Sequence, residues 1–477
     1  MRRLLLPFAL VGFAGCVYEW NGRAPVLQLS GTAPSLDALE RLNTRPAGLA
    51  QPMTGADGAP WVAFCEFDAG EGESFGPRGC KREHLVRLGA PVQGTAGDEV
   101  ILADAFDVHD HTLYVSRDEA QATLRGITLH RPGQPATDDV TFHFRAGRPL
   151  IVANDDGESD VFAYLVLDPS TDHFDVLRRD RRHARAIPLP AGVDASALDE
   201  QPGFDLRFTT DGSVLVVRGP DGTTTAHATL DDTSIDLGKR PVDFFLDSPR
   251  RALLTVGSDG LRSVPLDGGA ERVLATASFN AASLVVKDGA AWYPDGANLY
   301  RVALDGSGPP ALVQANAARL IAIGPHGEIA YSRDAGDRYV GGAGDGWLAD
   351  WSFMQRGQLV TWNAPGSRLH FLEHAATIDT VGDLISAAIP NGAPQKLALN
   401  VHDFQELGDG RVVVLENHVY EGTWNRLVVV DETAGTKRWV TPATAQFLLV
   451  PRSSEVIADV ISGASGYDIV RMPIPAR

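Results

Sequence analysis

Leucine, valine, isoleucine and phenylalanine stand in short runs along this chain, separated by Gly, Asp, Asn and Pro. Six stretches read as apolar run, turn, apolar run: FDVHDHTLYVS (106–116), FHFRAGRPLIV (142–152), LRFTTDGSVLVV (206–217), FFLDSPRRALLTV (244–256), LIAIGPHGEIAYS (320–332) and FQELGDGRVVVL (404–415). Alternating or continuous β-branched runs bounded by such residues predict strands and hairpins. Gly and Asp supply the positive φ or the side-chain cap that a tight connection needs. A 3.6-residue periodicity is nearly absent, with short helix-like exceptions at 34–42 and 194–200. The pattern predicts an all-β chain.

The pattern also repeats. A strand followed by a Gly- or Pro-containing turn recurs as LRSVPLDGGAERVL from Leu261, LYRVALDGSGPPALV from Leu299 and LISAAIPNGAPQKL from Leu384. Fainter copies are LVVVDETAGTKRWV from Leu427 and IVRMPIPAR from Ile469. Their spacings are 38, 85, 43 and 42. The 85 is two periods, so a degenerate copy is expected near residue 341. A period of ~40 is that of propeller blades. Ten candidate second strands can be found, and the widest gap, between the hairpins at 142 and 206, reads as an inserted loop. The resulting expectation is a β-propeller of about eight four-stranded blades, with seven or nine as the other counts. The last unit stops after three strands, and the first begins midway, at WVAFCEF (61–67). An open ring leaves an unpaired sheet edge, so an N-terminal strand should complete the last blade. Val26–Ser30 or Trp61–Phe67 is the expected donor.

Composition alters this picture at the N-terminus. MRRLLLPFALVGFAGC places two arginines before an apolar run of 12 residues, Leu4 to Gly15, too short for the ~20 that span a bilayer. It fits a signal peptide. With Ala14-Gly15-Cys16 it resembles a bacterial lipobox, although Phe13 stands where that pattern prefers Leu. The resemblance implies lipidation of Cys16, and Val17 after it implies the outer membrane, facing periplasm or cell surface. The alternative is an ordinary signal peptide with a chance cysteine. The expected organisation is a signal peptide at 1–15, a tether and closing segment at 16–58, and a propeller at 59–477. Of the three cysteines, Cys65 and Cys80 remain as an even pair. In an oxidising compartment that predicts a disulfide, two free thiols being the alternative. Cleavage before Cys16 leaves 40 basic and 61 acidic residues, a net charge of −21. Such a charge argues against nucleic acid and anionic lipid as partners.

GPHGEIAYSRDAGD (324–337) and NLYRVALDGSG (298–308) resemble the blades of TolB-like and WD-repeat-like propellers of the bacterial envelope. The likeness covers 200–474 well and 60–200 poorly. It implies a non-catalytic envelope lipoprotein, a monomeric scaffold that binds a protein or glycan and needs no cofactor; no catalytic residue carries over. The competing class is a propeller enzyme (lactonase, lyase or glycan hydrolase) with residues from several blades meeting at the central channel.

Candidate chemistry is sparse. Gly72-Glu73-Ser74-Phe75-Gly76 fits the nucleophile-elbow spacing but is followed by Pro77-Arg78, where that turn needs a helix. His109 and His111 share one side of an extended segment. With His402 and Asp403 in a corresponding place, they are candidate metal ligands or turn and inner-strand residues. Asn154 to Asp160 is rich in oxygen ligands, but its Gly157 is misplaced for a helix-loop-helix calcium loop. Trp347 and Trp351, among glycines, are binding anchors or inter-blade core. Arg178, Arg179, Arg181 and Arg182 form the dense basic run, suited to carboxylate or phosphate groups or to a solvated loop.

Overall fold

The computed structural model describes residues 27–35, 39–48, 50–55, 58–67, 82–88, 98–102, 105–109, 113–121, 124–135, 140–145, 163–167, 173–178, 185–193, 202–241, 244–257, 259–277, 283–317, 319–332, 339–341, 360–363, 366–374, 382–388, 395–417, 425–450, 453–463 and 466–476. Two short strands come first, β1 (Leu29–Ser30) and β2 (Glu40–Arg41), and both join a sheet formed at the far end of the chain. Seven antiparallel meanders follow. The first unit is β3 (Gln51–Thr54), β4 (Pro60–Cys65), β5 (Arg82–Arg87) and β6 (Asp98–Leu102). The second is β7 (Ala105–His109), β8 (Leu113–Gln121), β9 (Leu124–His130) and β10 (Val140–Arg145). The third has β11 (Ala163–Leu167), β12 (His173–Arg178) and β13 (Arg185–Pro188). The fourth is β14 (Asp205–Phe208), β15 (Val214–Arg218), β16 (Thr223–Ala228) and β17 (Ser234–Lys239). The fifth is β18 (Phe244–Asp247), β19 (Ala252–Gly257), β20 (Gly260–Pro265) and β21 (Arg272–Ala275). The sixth is β22 (Val285–Lys287), β23 (Ala290–Asp295), β24 (Asn298–Ala303) and β25 (Ala311–Ala315). The seventh has β26 (Arg319–Ile323), β27 (Ile329–Ser332) and β28 (Tyr339–Gly341).

The remaining strands share one 11-stranded sheet with β1 and β2. They are β29 (Val360–Trp362), β30 (Arg368–His374), β31 (Gly382–Ala388), β32 (Gln395–Glu406), β33 (Arg411–Asn417), β34 (Asn425–Asp431), β35 (Thr436–Leu449), β36 (Glu455–Gly463) and β37 (Gly466–Pro473). This sheet is three meanders run together, the eighth, ninth and tenth units. β32 pairs with β31 up to Val401 and with β33 from Val401 onward, across a register shift. β35 changes partner in the same way at Thr444, from β34 to β36. Each long strand is thus the last strand of one unit and the first of the next.

The alternation of side chains explains how the units stack. All five residues of β15, VLVVR, are buried. Leu215 and Val217 join a cluster with Phe174, Val176 and Ile187 of the third unit, while Val214 and Val216 join Phe244, Leu253 and Val264 of the fifth. β33 divides likewise: Val412 and Val414 pack toward Leu384 and Leu397, Val413 and Leu415 toward Val456 and Val470. Successive side chains on a strand point to opposite faces, so a continuous apolar strand cements two neighbours, each buried side chain contributing ~1.5–3 kcal/mol. The core is therefore a series of layers between meanders stacked face to face, the blade arrangement of a β-propeller. One such layer unites the two ends of the chain: Val62, Phe64 and Leu88 of the first unit pack with Val450, Ile457 and Ile469 of the tenth.

Glycine is required where strands turn or approach closely. Gly222 (φ 89°) follows Asp221, whose carboxylate accepts the Thr223 N–H at 2.9 Å. At Gly260 (φ 117°) a Cβ would lie 1.9 Å from the Ala275 carbonyl oxygen.

Several expectations change. One holds: the degenerate copy expected near 341 is β28. The gap between 142 and 206 holds the third unit, because AYLVL, HFDVLR and RAIP pair as strands although the sequence between them lacks glycine. Of the expected 142–152 hairpin, 142–145 belongs to β10, which pairs with β9, and 146–152 lies outside the described residues. WVAFCEF is a second strand, preceded by β3, so the first unit begins ahead of residue 59. Residues 34–42 are not helical where described: Glu40–Arg41 is a strand, while 194–200 lie outside the described residues. The strand paired with β37 is β2, in the register Glu40 to Arg471 and Arg41 to Val470. Of the expected donors, Trp61–Phe67 lies in the first unit and Leu29–Ser30 pairs in parallel with β35.

Candidate functional site

Cys16, Cys80, His111, Trp347, Trp351, Arg179, Arg181 and Arg182 lie outside the described residues, as do 72–76 and 154–160. His109 ends β7 and Arg178 ends β12. Cys65 ends β4, opposite Glu83 of β5. His402 is exposed on β32. Its neighbour Asp403 accepts the Phe404 N–H at 2.8 Å, and burial raises its pKa. Among the described residues no group of three or more His, Cys, Asp and Glu is placed to hold a metal ion.

A buried titratable cluster stands where the sequence singled out no residue. His370 lies in β30 opposite Ser386 of β31, Glu406 ends β32, and Glu432 opens the turn after β34. The eighth and ninth units therefore bring these side chains together from separate strands. The two ring nitrogens of His370 bond Glu406 and Glu432, one each. Glu432 also binds the Arg368 guanidinium and accepts the Ser386 hydroxyl at 2.8 Å. Phe404 meets the imidazole edge-on, with centroids 6.1 Å apart. Burial opposes a charge on His370, but the hydrogen bonds and charges of the two glutamates outweigh it and lift its pKa to about 9. Burial likewise favours a neutral Glu432, yet His370 and Arg368 hold its pKa below the usual carboxylate value. Two cations face two anions, and the side chains of His370 and Glu432 are each 2% exposed. The imidazole has no nitrogen left for a substrate, so the arrangement is suited to holding two units in register.

A second buried group lies in the ninth unit. Lys437 of β35 and Arg426 of β34 bind the two oxygens of Glu416 at 2.5 and 2.6 Å. Burial lowers the Lys437 pKa, against the pull of Glu416. The Arg426 guanidinium lies 5.4 Å from the Trp439 ring centroid.

Polar groups also line the junction of the tenth and first units. Asn43, just after β2, donates to the Tyr467 carbonyl at 2.9 Å and accepts the Ile469 N–H at 2.8 Å, standing in for a backbone partner. Gln446 donates to the Ala50 carbonyl at 2.8 Å, and Asp459 accepts the Ala50 N–H at 2.9 Å. Burial raises the Asp459 pKa to about 7 despite these bonds. Arg471 donates to the Leu88 carbonyl at 3.2 Å. Glu66 accepts the Thr44 N–H at 2.7 Å and approaches the His84 ring at 3.1 Å. First-strand side chains reach to the next unit elsewhere too: Arg207 donates to the Phe244 carbonyl and Lys287 to that of Ile323, both at 2.7 Å.

A small cleft between Arg411, Asp431, Thr436 and Arg438 is flanked by Pro475 and Ala476. Arg411 and Arg438 donate to the carbonyls of those two residues at 2.5 and 2.7 Å. The chain's own tail thus uses the cleft's basic groups.

The His370 partners lie 36 and 62 residues away in sequence, so no linear motif could reveal them. The usable signal was the ~40-residue period, which puts His370 and Glu406 almost one repeat apart.

No family model matches the chain, and no curated protein matches it. Among solved structures it is similar to a eukaryotic initiation factor at 11% identity and a TM-score of 0.41, over 74% of this chain and 90% of that one. It is similar to BamB from Moraxella catarrhalis at 12% identity and a TM-score of 0.34, over 65% and 89%. A third is dihydro-heme d1 dehydrogenase NirN, at 12% and 0.35, over 65% and 73%.

Proposed function

We propose that the chain is a closed β-propeller of ten blades, lipid-anchored at Cys16 in the bacterial outer membrane, that serves as a non-catalytic scaffold for an envelope protein or glycan. A count of ten is supported by the 11-stranded sheet reading as three units and by strands in the gap first read as an insertion. Closure is supported by β2 on β37 and by the apolar layer shared by the first and tenth units. The observation that carries the scaffold reading is the His370 cluster. It is a buried group of titratable side chains whose imidazole is saturated and sealed between units. Cys65 lies opposite Glu83, three residues along the chain from Cys80, which supports a Cys65–Cys80 disulfide across this hairpin.

The soluble chain from residue 17, mixed with solubilised envelope, tests the reading. It should retain a protein or glycan in fixed stoichiometry and release it with unchanged mass. Conversion of the retained molecule into a product would contradict a scaffold.

A further inference from the structure

We infer that the outer edge of the ninth unit, where β1 is clamped onto β35, is the side of the molecule turned toward the lipid surface. This rests on the proposed lipid at Cys16. The clamp is local and specific. Leu29 pairs with Lys437 and Ser30 with Arg438 in parallel register. The Ser30 hydroxyl donates to the Lys437 carbonyl at 2.8 Å. Leu27 and Leu29 pack on the layer between the eighth and ninth units, against a cluster that includes Leu372, Leu384, Val401 and Phe404. β1 thus has both an edge bond and an apolar seat, as when an extended segment adds to a sheet.

Clamping at Leu27 shortens the tether. Residues 17–26 are all that separate Cys16 from the clamp. Fully extended they reach ~36 Å, and as a flexible chain they average ~18 Å. Four strands across each of two opposed blades already measure ~40 Å at the usual interstrand spacing. The far edge therefore lies beyond the tether's reach, and the clamped edge stays near the membrane. A net charge of −21 supplies no competing attraction of another face to anionic lipid. In a ring of ten, the unit opposite the ninth is the fourth, which leaves its outer strand β17 pointing away from the bilayer.

Resonance energy transfer from a dye on the chain to an acceptor at the membrane surface tests this. The lipidated full chain is placed in phosphatidylethanolamine–phosphatidylglycerol vesicles. The dye is attached through T433C, in the exposed turn leading into β35, or K239C, at the exposed end of β17. Transfer should be clearly stronger from position 433. Equal transfer, or stronger transfer from 239, overturns the inference. The pair L27D/L29D frees the clamp and lengthens the tether, so the difference between positions should shrink while the vesicle-bound fraction stays the same. An unchanged difference in that variant would mean the clamp does not set the orientation. Failure of the unsubstituted chain to stay on vesicles, read by flotation, would instead remove the anchor and the inference with it.

Discussion

His370 carries a positive charge where water is excluded, and the two glutamates beside it make that possible. Removing one partner of a buried ion pair strands the other, at a cost of ~3–5 kcal/mol. Glu432→Gln should therefore lower the unfolding free energy from a urea titration by about that much, and a loss below ~1 kcal/mol would show that the cluster does not hold the units together. The cluster also links stability to pH. Below pH ~6.5 folded and unfolded chains both protonate His370; between there and about 9 only the folded chain does, so stability falls as pH rises. Asp459 acts in the same direction at lower pH. Its pKa of about 7, against 3.8 for an ordinary aspartate, means the folded chain keeps a proton that the unfolded chain loses between pH 4 and 7. Up to ~4 kcal/mol is at stake over that window. Asp459→Asn, which keeps the acceptor for the Ala50 N–H, should flatten the fall in urea midpoint between pH 4 and 7. An unaltered slope would assign the dependence to other groups.

Strands and hairpins were legible in the sequence where Gly or Asp marked the turn, as at Asp211-Gly212 between β14 and β15. They were illegible where pairing runs through the backbone. Glu40–Arg41 has no apolar residue to betray a strand, yet it pairs with β37 and Asn43 extends the contact by mimicking a peptide group. β11 to β13 were hidden because the glycine-free stretches between them and the basic run at 178–185 read as a loop. The His370 site was hidden by distance along the chain. Deleting 17–42 removes β1 and β2 and should lower the melting temperature and cause aggregation through the freed edges of β35 and β37. Deleting 17–25 should do neither. Equal melting by thermal unfolding, with no aggregation by light scattering, would show that β1 and β2 are dispensable. The β4–β5 hairpin offers a separate test. Closing its loop with a Cys65–Cys80 disulfide contributes ~3 kcal/mol in the chain-entropy model, and non-reducing peptide mapping should find the two cysteine peptides joined. Two freely alkylated thiols in protein produced in an oxidising compartment would rule the bond out.

At the scale of the molecule, the same two-faced strand accounts for every described layer, from Leu215 and Val216 in the fourth unit to Val412 and Val413 in the ninth. A chain of such units has two exposed ends unless it meets itself, and Val62 and Phe64 of the first unit pack with Ile457 and Ile469 of the tenth. Attachment should depend on one residue: Cys16→Ser should move the protein from the membrane to the soluble fraction, and retention on membranes would refute the anchor. The ring itself is open to direct inspection. Single-particle electron microscopy of the chain from residue 17, viewed down the channel, should show a closed ring of ten lobes. An open arc, or a closed ring of eight lobes, would contradict it.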